Sequence, residues 1–254
     1  MIDYIKIKKN IDIPGKYFSE QKWKLSQTDD NQPFYWHTTG GVKLRYYPHT
    51  SLFTISGKII MMLYDTQVQN VDDIYGANKE WFINDINRAI NRLFPDPILD
   101  IREFSVTQID YCVNVETPYV GEYITFLSKA CQMANKDNRI DYAVENGFAG
   151  SVYVKTASDY RANQNKNYTL NFYDKTARLE YLREKGTYVS QADTALAKDQ
   201  LRLEVQCGYQ MIKRLARKFN TGTTFGELFD FKIAYEAIFS VYALVFKGNY
   251  VSAQ

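Results

Sequence analysis

Histidine is scarce: His37 and His49 are the only two in 254 residues. Each sits among aromatic residues, where a histidine is more often a hydrogen-bonded structural residue than a ligand. Cysteine is nearly as rare. Cys112, Cys131 and Cys207 are odd in number, widely spaced and without a CxxC pair. That argues against a disulfide framework and against a thiolate zinc site, and makes a reducing cytoplasm the expected compartment. An excess of charge is missing too. The chain has 31 Lys plus Arg and 29 Asp plus Glu, a net +2, so any nucleic-acid binding must come from local clusters. The longest nearly apolar run, Ala234 to Phe246, contains Glu236 and falls short of the roughly 20 residues a membrane span needs. The opening MIDYIKIKKN alternates where a secretory signal would be continuously apolar. No membrane partner is expected. Neither GxGxxG nor GxxxxGK[ST] occurs, and no internal repeat or low-complexity tract is visible.

What is present is ample material for a core, 45% hydrophobic and 15% aromatic. Ile2 to Lys8 reads as a strand, and Pro14-Gly15 opens a polar stretch up to Pro33 that reads as a loop. From Phe34 to Tyr64 the composition is aromatic and β-branched, broken by Gly40-Gly41, Pro48-His49 and Ser56-Gly57-Lys58, which predicts two or three hairpin strands. Asp72 is placed to cap an amphipathic helix on Ile74, Trp81, Phe82, Ile86, Ala89, Ile90 and Leu93, stopped by Pro95 and Pro97. Pro118 opens another through Val120, Ile124, Leu127, Cys131 and Ala134. Strands are predicted at 151–156 and 168–173, joined by SDYRANQNKN, with a helix over 174–185. QLRLEVQC is a further strand. Helices follow from Tyr209, interrupted at Thr221-Gly222. The expected fold class is α+β: a central, mainly antiparallel sheet flanked by helices. Residues 1–208 are expected to carry the functional site and 209–254 a helical extension packed on it.

Three strands share one feature. Ile109, Tyr111, Val113 and Val115 alternate with Gln108, Asp110, Cys112 and Asn114; Leu170 and Phe172 flank Tyr173's strand; Leu201, Leu203 and Val205 alternate with Arg202, Glu204 and Gln206. If these strands are neighbours, their polar faces bring Asp110, Glu204 and Tyr173 together. Two carboxylates form an oxygen set for Mg²⁺ or Mn²⁺, which keeps both ionised and polarises a phosphoryl oxygen. The phenol is then a candidate nucleophile, with Lys175 a nearby cation. The plainer alternatives are a solvated sheet face or an ion pair with Arg202 for the acids, and packing for the tyrosine, one of 21. Tyr153 and Tyr168 compete with it. Arg161 and Lys166 in the polar connection, Arg202, and the helical run Lys213, Arg214, Arg217, Lys218 are candidate phosphate contacts. His49 is the better of the two histidines as a metal ligand.

Four segments in this order resemble the rolling-circle replication initiators of filamentous phages and, more distantly, of small Gram-positive plasmids. They are MIDYIKIK, VTQIDYCVNVE, YTLNFYDKTARLEYL and DQLRLEVQCGYQMIKRLARKF. The resemblance covers roughly the last 150 residues well and the first 100 weakly. It implies an antiparallel sheet flanked by helices, as in histidine-pair (HUH-like) tyrosine nucleases, with Asp110 and Glu204 in a metal site, Tyr173 as nucleophile and Lys175 beside it. Many tyrosine DNA-nicking enzymes of this broad class carry two histidine ligands around one apolar residue, and this chain departs from that pattern. The ligand set is then carboxylate-rich, or uses His49 alone, or is completed by Gln108 and Asn114.

The expected activity is metal-dependent nicking and religation at a single-stranded or hairpin origin, starting rolling-circle replication of a phage, plasmid or mobile element through a 5′-phosphotyrosine. Its partners would be origin DNA and host helicase and polymerase. A conjugative relaxase of the same chemistry, a non-catalytic origin-binding module and a water-using metal nuclease are the alternatives.

Overall fold

The computed structural model describes residues 2–20, 23–64, 66–69, 71, 74, 76, 78–137, 142–145, 150–156 and 168–246. Ten strands form one sheet: β1 (Ile2–Asn10), β2 (Lys24–Gln27), β3 (Pro33–Thr39), β4 (Val42–Tyr47), β5 (Leu52–Gly57), β6 (Ser105–Glu116), β7 (Tyr142–Glu145), β8 (Ser151–Thr156), β9 (Tyr168–Asp174) and β10 (Gln200–Cys207). Their spatial order is β2-β3-β4-β5-β1-β6-β10-β9-β8-β7, with every neighbouring pair antiparallel. The helices are α1 (Lys16–Glu20), α2 (Lys79–Asn91), α3 (Val120–Asp137), α4 (Lys175–Glu184), α5 (Gln191–Ala197), α6 (Tyr209–Phe219), α7 (Phe225–Leu228) and α8 (Phe231–Phe246). The fold is α+β with an antiparallel sheet, as the alternating segments predict.

The hairpins follow from their turn residues. Between β3 and β4, Gly40 and Gly41 both take positive φ, 53° and 79°, the backbone that lets a two-residue turn follow the strand twist. A Cβ on Gly40 would also lie 1.7 Å from the Met61 carbonyl oxygen, so glycine is required twice over. Three strands fill the aromatic stretch, the upper end of the expected number. The polar stretch before Pro33 is not one loop: it holds α1 and β2, whose short, weakly alternating sequence gives little periodic signal.

Alternation splits the sheet into two faces. Ile5, Ile7, Leu44, Ile55, Ile109, Tyr111, Leu170, Phe172 and Val205 are buried in one hydrophobic cluster. Phe82, Ile86 and Ile90 of α2, Val120 and Ile124 of α3, Met211, Ile212 and Leu215 of α6, and Ile233 and Val241 of α8 complete it. The helices from Tyr209 onward thus share the main core. Asn220 in the left-handed conformation ends α6, and a capping box between Thr224 and Glu227 restarts the chain, which explains the break at Thr221-Gly222. No helix among the described residues is long and apolar enough to cross a membrane.

The α2 helix begins later than its pattern suggests. Asn78 caps it, accepting from the Trp81 amide at 3.4 Å, and Asp72 lies outside the described residues. Trp81, counted on the apolar face, is 66% exposed.

Phe94, just after α2, is fully buried against Tyr17, Phe18, Trp23 and Phe53. Replacing it with alanine deletes a ring from a close-packed aromatic cluster. Phe94→Ala is expected to lower stability by about 3–5 kcal/mol in urea unfolding; a loss under about 1 kcal/mol would contradict this packing.

Candidate active site

The second face of the sheet is polar where β1, β6, β10, β9 and β8 run side by side. Cross-strand register sets its rows. Tyr4, Asp110, Gln206 and Thr169 stand opposite one another; the next row is Cys112, Glu204, Asn171 and Tyr153; the next is Asn114, Arg202, Tyr173 and Ser151. The strands carrying Asp110, Glu204 and Tyr173 are therefore adjacent. All three residues line one cavity of about 240 Å³ with Asn171, Tyr153 and Lys175. Asp110 and Glu204 are diagonal neighbours across β6 and β10, a separation that long side chains bridge.

Glu204 is the hub. Its Oε1 accepts from Asn171 Nδ2 at 3.0 Å and Gln206 Nε2 at 3.1 Å, and its Oε2 accepts from the Tyr173 hydroxyl at 3.3 Å. These donors take three of the carboxylate's roughly four lone-pair sites. Asp110 accepts from Gln108 Nε2 at 3.0 Å. Burial first, and Glu204 second, push the Tyr173 phenol well above its ordinary pKa. Burial and repulsion from Asp3 raise the Glu204 carboxyl. The pair thus keeps the proton on the phenol, and a cation placed in the cavity would favour its release.

One residue that organises this cavity falls outside the sequence-based candidates. Asp3 is the extra residue of a β-bulge: Ile2 pairs with Tyr111 and Tyr4 with Asp110, so Asp3 and Tyr4 both leave the core side. The Asp3 carboxylate accepts from Arg202 Nη1 at 2.6 Å and lies 3.5 Å from Lys58 Nζ. Burial alone would raise its pKa, but Arg202, Lys58 and Lys175 outweigh that and hold the carboxyl far below the usual range. The signal was in the spacing. Ile2, Ile5 and Ile7 break strict alternation, and such a phase break marks a bulge.

Arg202 corrects an expectation. It is 0% exposed, and its guanidinium donates to Asn114 Oδ1 at 2.8 Å, to Asp3 and to the Val68 carbonyl at 2.7 Å. With its donors directed at protein, it is a structural cation and not a phosphate contact. Its ion pair is with Asp3, not with Asp110 or Glu204. Lys175 is buried beside the Tyr173 ring, Nζ 5.7 Å from the centroid, and donates to the Gln67 carbonyl at 3.1 Å. Burial, then Arg202 and Lys58, lower its pKa well below the ordinary lysine value. The strap that supplies both carbonyls is held by Asp193 of α5, which accepts from the Thr66 hydroxyl and the Gln67 amide, each at 2.8 Å.

His49 is a second correction. It lies in the turn after β4, edge-on to Tyr47 at 6.3 Å, and is not among the cavity-lining residues; sequence proximity to a strand start does not bring it to the acids. His37 packs 5.4 Å from the Trp23 ring. Among the described residues no group of three His, Cys, Asp or Glu side chains is placed to hold a metal. A hard cation that keeps several waters and takes one or two carboxylates still suits the oxygen-rich lining. In particular, the Asn171 Oδ1 is buried with no hydrogen-bond partner, which is the condition of an oxygen lacking a donor or a cation. Lys213, Arg214 and Arg217 are exposed on α6, whose other side is core. Arg161 and Lys166 lie outside the described residues. Of the competing tyrosines, Tyr168 is buried in the core, while Tyr153 lines the cavity and is only half-buried.

Two consequences can be measured. Asp3→Asn leaves Arg202, Lys58 and Lys175 without their shared counter-charge and is expected to cost about 3–5 kcal/mol in denaturant unfolding; a loss below about 1 kcal/mol would contradict the pairing. The pH dependence of the two acids has opposite signs. Asp3, lowered on folding, contributes stability above the ordinary carboxylate range that is lost as pH falls below it. Glu204, raised on folding, contributes fully below that range and loses its contribution as pH rises through the raised folded value. Glu204→Gln is therefore expected to gain stability relative to the parent as pH rises above the ordinary carboxylate range, and parallel pH curves would contradict it.

No protein-family model matches the chain, and no curated protein does. Among solved structures it is similar to a rolling circle replication initiator protein from Geobacillus stearothermophilus, with 11% identity over 86% of this chain and 77% of that chain and a TM-score of 0.41.

Proposed function

We propose that the chain is a metal-assisted DNA-nicking and rejoining enzyme that starts rolling-circle replication of a phage, plasmid or mobile element, with Tyr173 as its nucleophile. The observation that carries this reading is the Tyr173 hydroxyl donating to Glu204 in a polar cavity that Asp110 also lines. It is supported by the four segments that resemble phage and plasmid initiators: their strands are β1, β6, β10 and β9, four consecutive neighbours in the sheet.

Asp110 and Glu204, with the Asn171 and Gln206 amide oxygens, would hold Mg²⁺ or Mn²⁺. When bound, the ion neutralises the carboxylates and polarises the phosphoryl oxygens. The chain's own residues do the rest. Tyr173 Oη attacks phosphorus as its proton passes to Glu204 Oε2, the oxygen that already accepts its hydrogen bond. The phosphorus–O3′ bond breaks, the 3′-oxygen takes a proton from solvent, and a 5′-phosphotyrosine remains, conserving the phosphodiester for religation. Lys175 stabilises the Tyr173 ring position and adds positive potential. Lys213, Arg214 and Arg217 are available to contact origin DNA from α6. A relaxase would use identical chemistry on a different replicon.

Tyr153 is the rival nucleophile, because it lines the same cavity beside Arg178, which opposes the rise in its pKa caused by burial and Glu204. Incubation with labelled single-stranded DNA and Mn²⁺, followed by a denaturing gel, separates the cases. Tyr173→Phe is expected to reduce the covalent adduct to background while Tyr153→Phe retains it. Adduct in Tyr173→Phe contradicts the assignment. Cleavage that survives both substitutions points to water as nucleophile.

A further inference from the structure

The β2 to β1 half of the polar face is a separate surface with its own pattern. Lys24 stands opposite Trp36, Trp36 opposite Arg45, Arg45 opposite Thr54, Thr54 opposite Lys8 and Lys8 opposite Ser105. A parallel row runs from Thr38 through Lys43, Ser56 and Lys6 to Gln108. The alternate residues Val42, Leu44, Ile55 and Ile7 are buried in the core, so both rows face outward, and neither contains Asp or Glu. Lys6, Lys8, Lys24 and Lys43 are exposed, and Phe34, Trp36 and Tyr47 are half-buried.

Aromatic rings and cations interleave on this face. Phe34 and Tyr47 stack at 5.2 Å, the Arg45 guanidinium lies 5.9 Å from the Phe34 centroid, and Lys24 Nζ lies 5.0 Å from that of Trp36. Toward β6 the surface deepens into a cavity of about 730 Å³ lined by Lys6, Lys8, Gln108, Gln206 and Tyr209. Gln206 also lines the cavity that holds Tyr173 and Glu204, so one side chain borders both.

We infer that this face is a platform for single-stranded DNA which leads the strand toward Tyr173; the inference rests on the nicking reading for its destination. A row of cations without acids suits a polyanion. Half-buried rings on the outward face beside those cations suit bases only when the bases are unpaired, since a duplex hides theirs. From β2 to β6 the row spans about 24 Å at the usual strand spacing, enough for several extended nucleotides.

Binding is tested without nicking, by fluorescence anisotropy of a labelled 20-nucleotide oligo(dT) in EDTA, using full-length protein carrying Tyr173→Phe. Trp36→Ala is expected to weaken binding about 10-fold, in line with the loss of one stacked base. Lys8→Gln with Arg45→Gln, both outward-facing and harmless to the core, is expected to lower the dependence of log affinity on log salt by about 0.7 per cation removed. Thermal melts confirm that each variant is folded. Unchanged affinity and salt slope in folded variants would overturn the platform, as would tighter binding of a duplex or of oligo(rU) of equal length. The platform fails on these readouts alone. The nicking reading fails separately, on absence of a Tyr173 adduct in protein that still binds oligo(dT).

Discussion

The buried pair of Arg202 and Asp3 is the constraint on which the candidate site depends. A guanidinium at 0% exposure is tolerable only because its charge is met and its donors are satisfied. Asp3 on β1, Asn114 on β6 and the Val68 carbonyl meet those needs. The arginine therefore ties three strands and the 66–69 strap at one point. Asp193 fixes that strap from the far side, and the strap in turn receives Lys175. Shifting β1 by one residue would remove Asp3 from the pair, so the bulge and the ion pair specify one another.

This framework explains the electrostatics of the cavity. Three cations, Arg202, Lys58 and Lys175, are held beside one strongly acidic carboxylate, Asp3. Glu204 stands outside that pairing and bears the cost of burial and of Asp3's negative charge, so its carboxyl is raised. Under the nicking proposal, it is this carboxylate that accepts the proton of the phenol it touches. The cations also make a favourable field for a phosphate entering the cavity, where a phenolate could develop. Structural charge and chemical charge are thus separated within a few rows of the same sheet.

Much of this was legible because a strand's period of two is unforgiving. Asp110, Glu204 and Tyr173 were placed on polar faces by alternation alone, and the sheet order puts those faces side by side. Asn171 was equally readable, standing two residues from Tyr173 on the same face. Asp3 was hidden by a bulge, which defeats alternation unless the Ile2, Ile5, Ile7 spacing is read as a phase break. The burial of Arg202 is not legible from alternation, because exposure depends on what covers a strand and the strap carbonyl it donates to lies 134 residues away in sequence. The position of His49 is hidden for a related reason: the turn joining β4 and β5 shares a sheet with the acids but not a cavity. The β2 strand gives no signal because four residues beside a short helix carry too little periodicity.

The central claim is that the phenol at 173 is the group that bonds to DNA. It is tested most directly by trapping the protein–oligonucleotide conjugate, digesting it and locating the modification by tandem mass spectrometry. The account predicts a phosphonucleotide on Tyr173, within the β9 peptide. A modification on Tyr153 or Tyr4, whose rings line the same cavity, would contradict it.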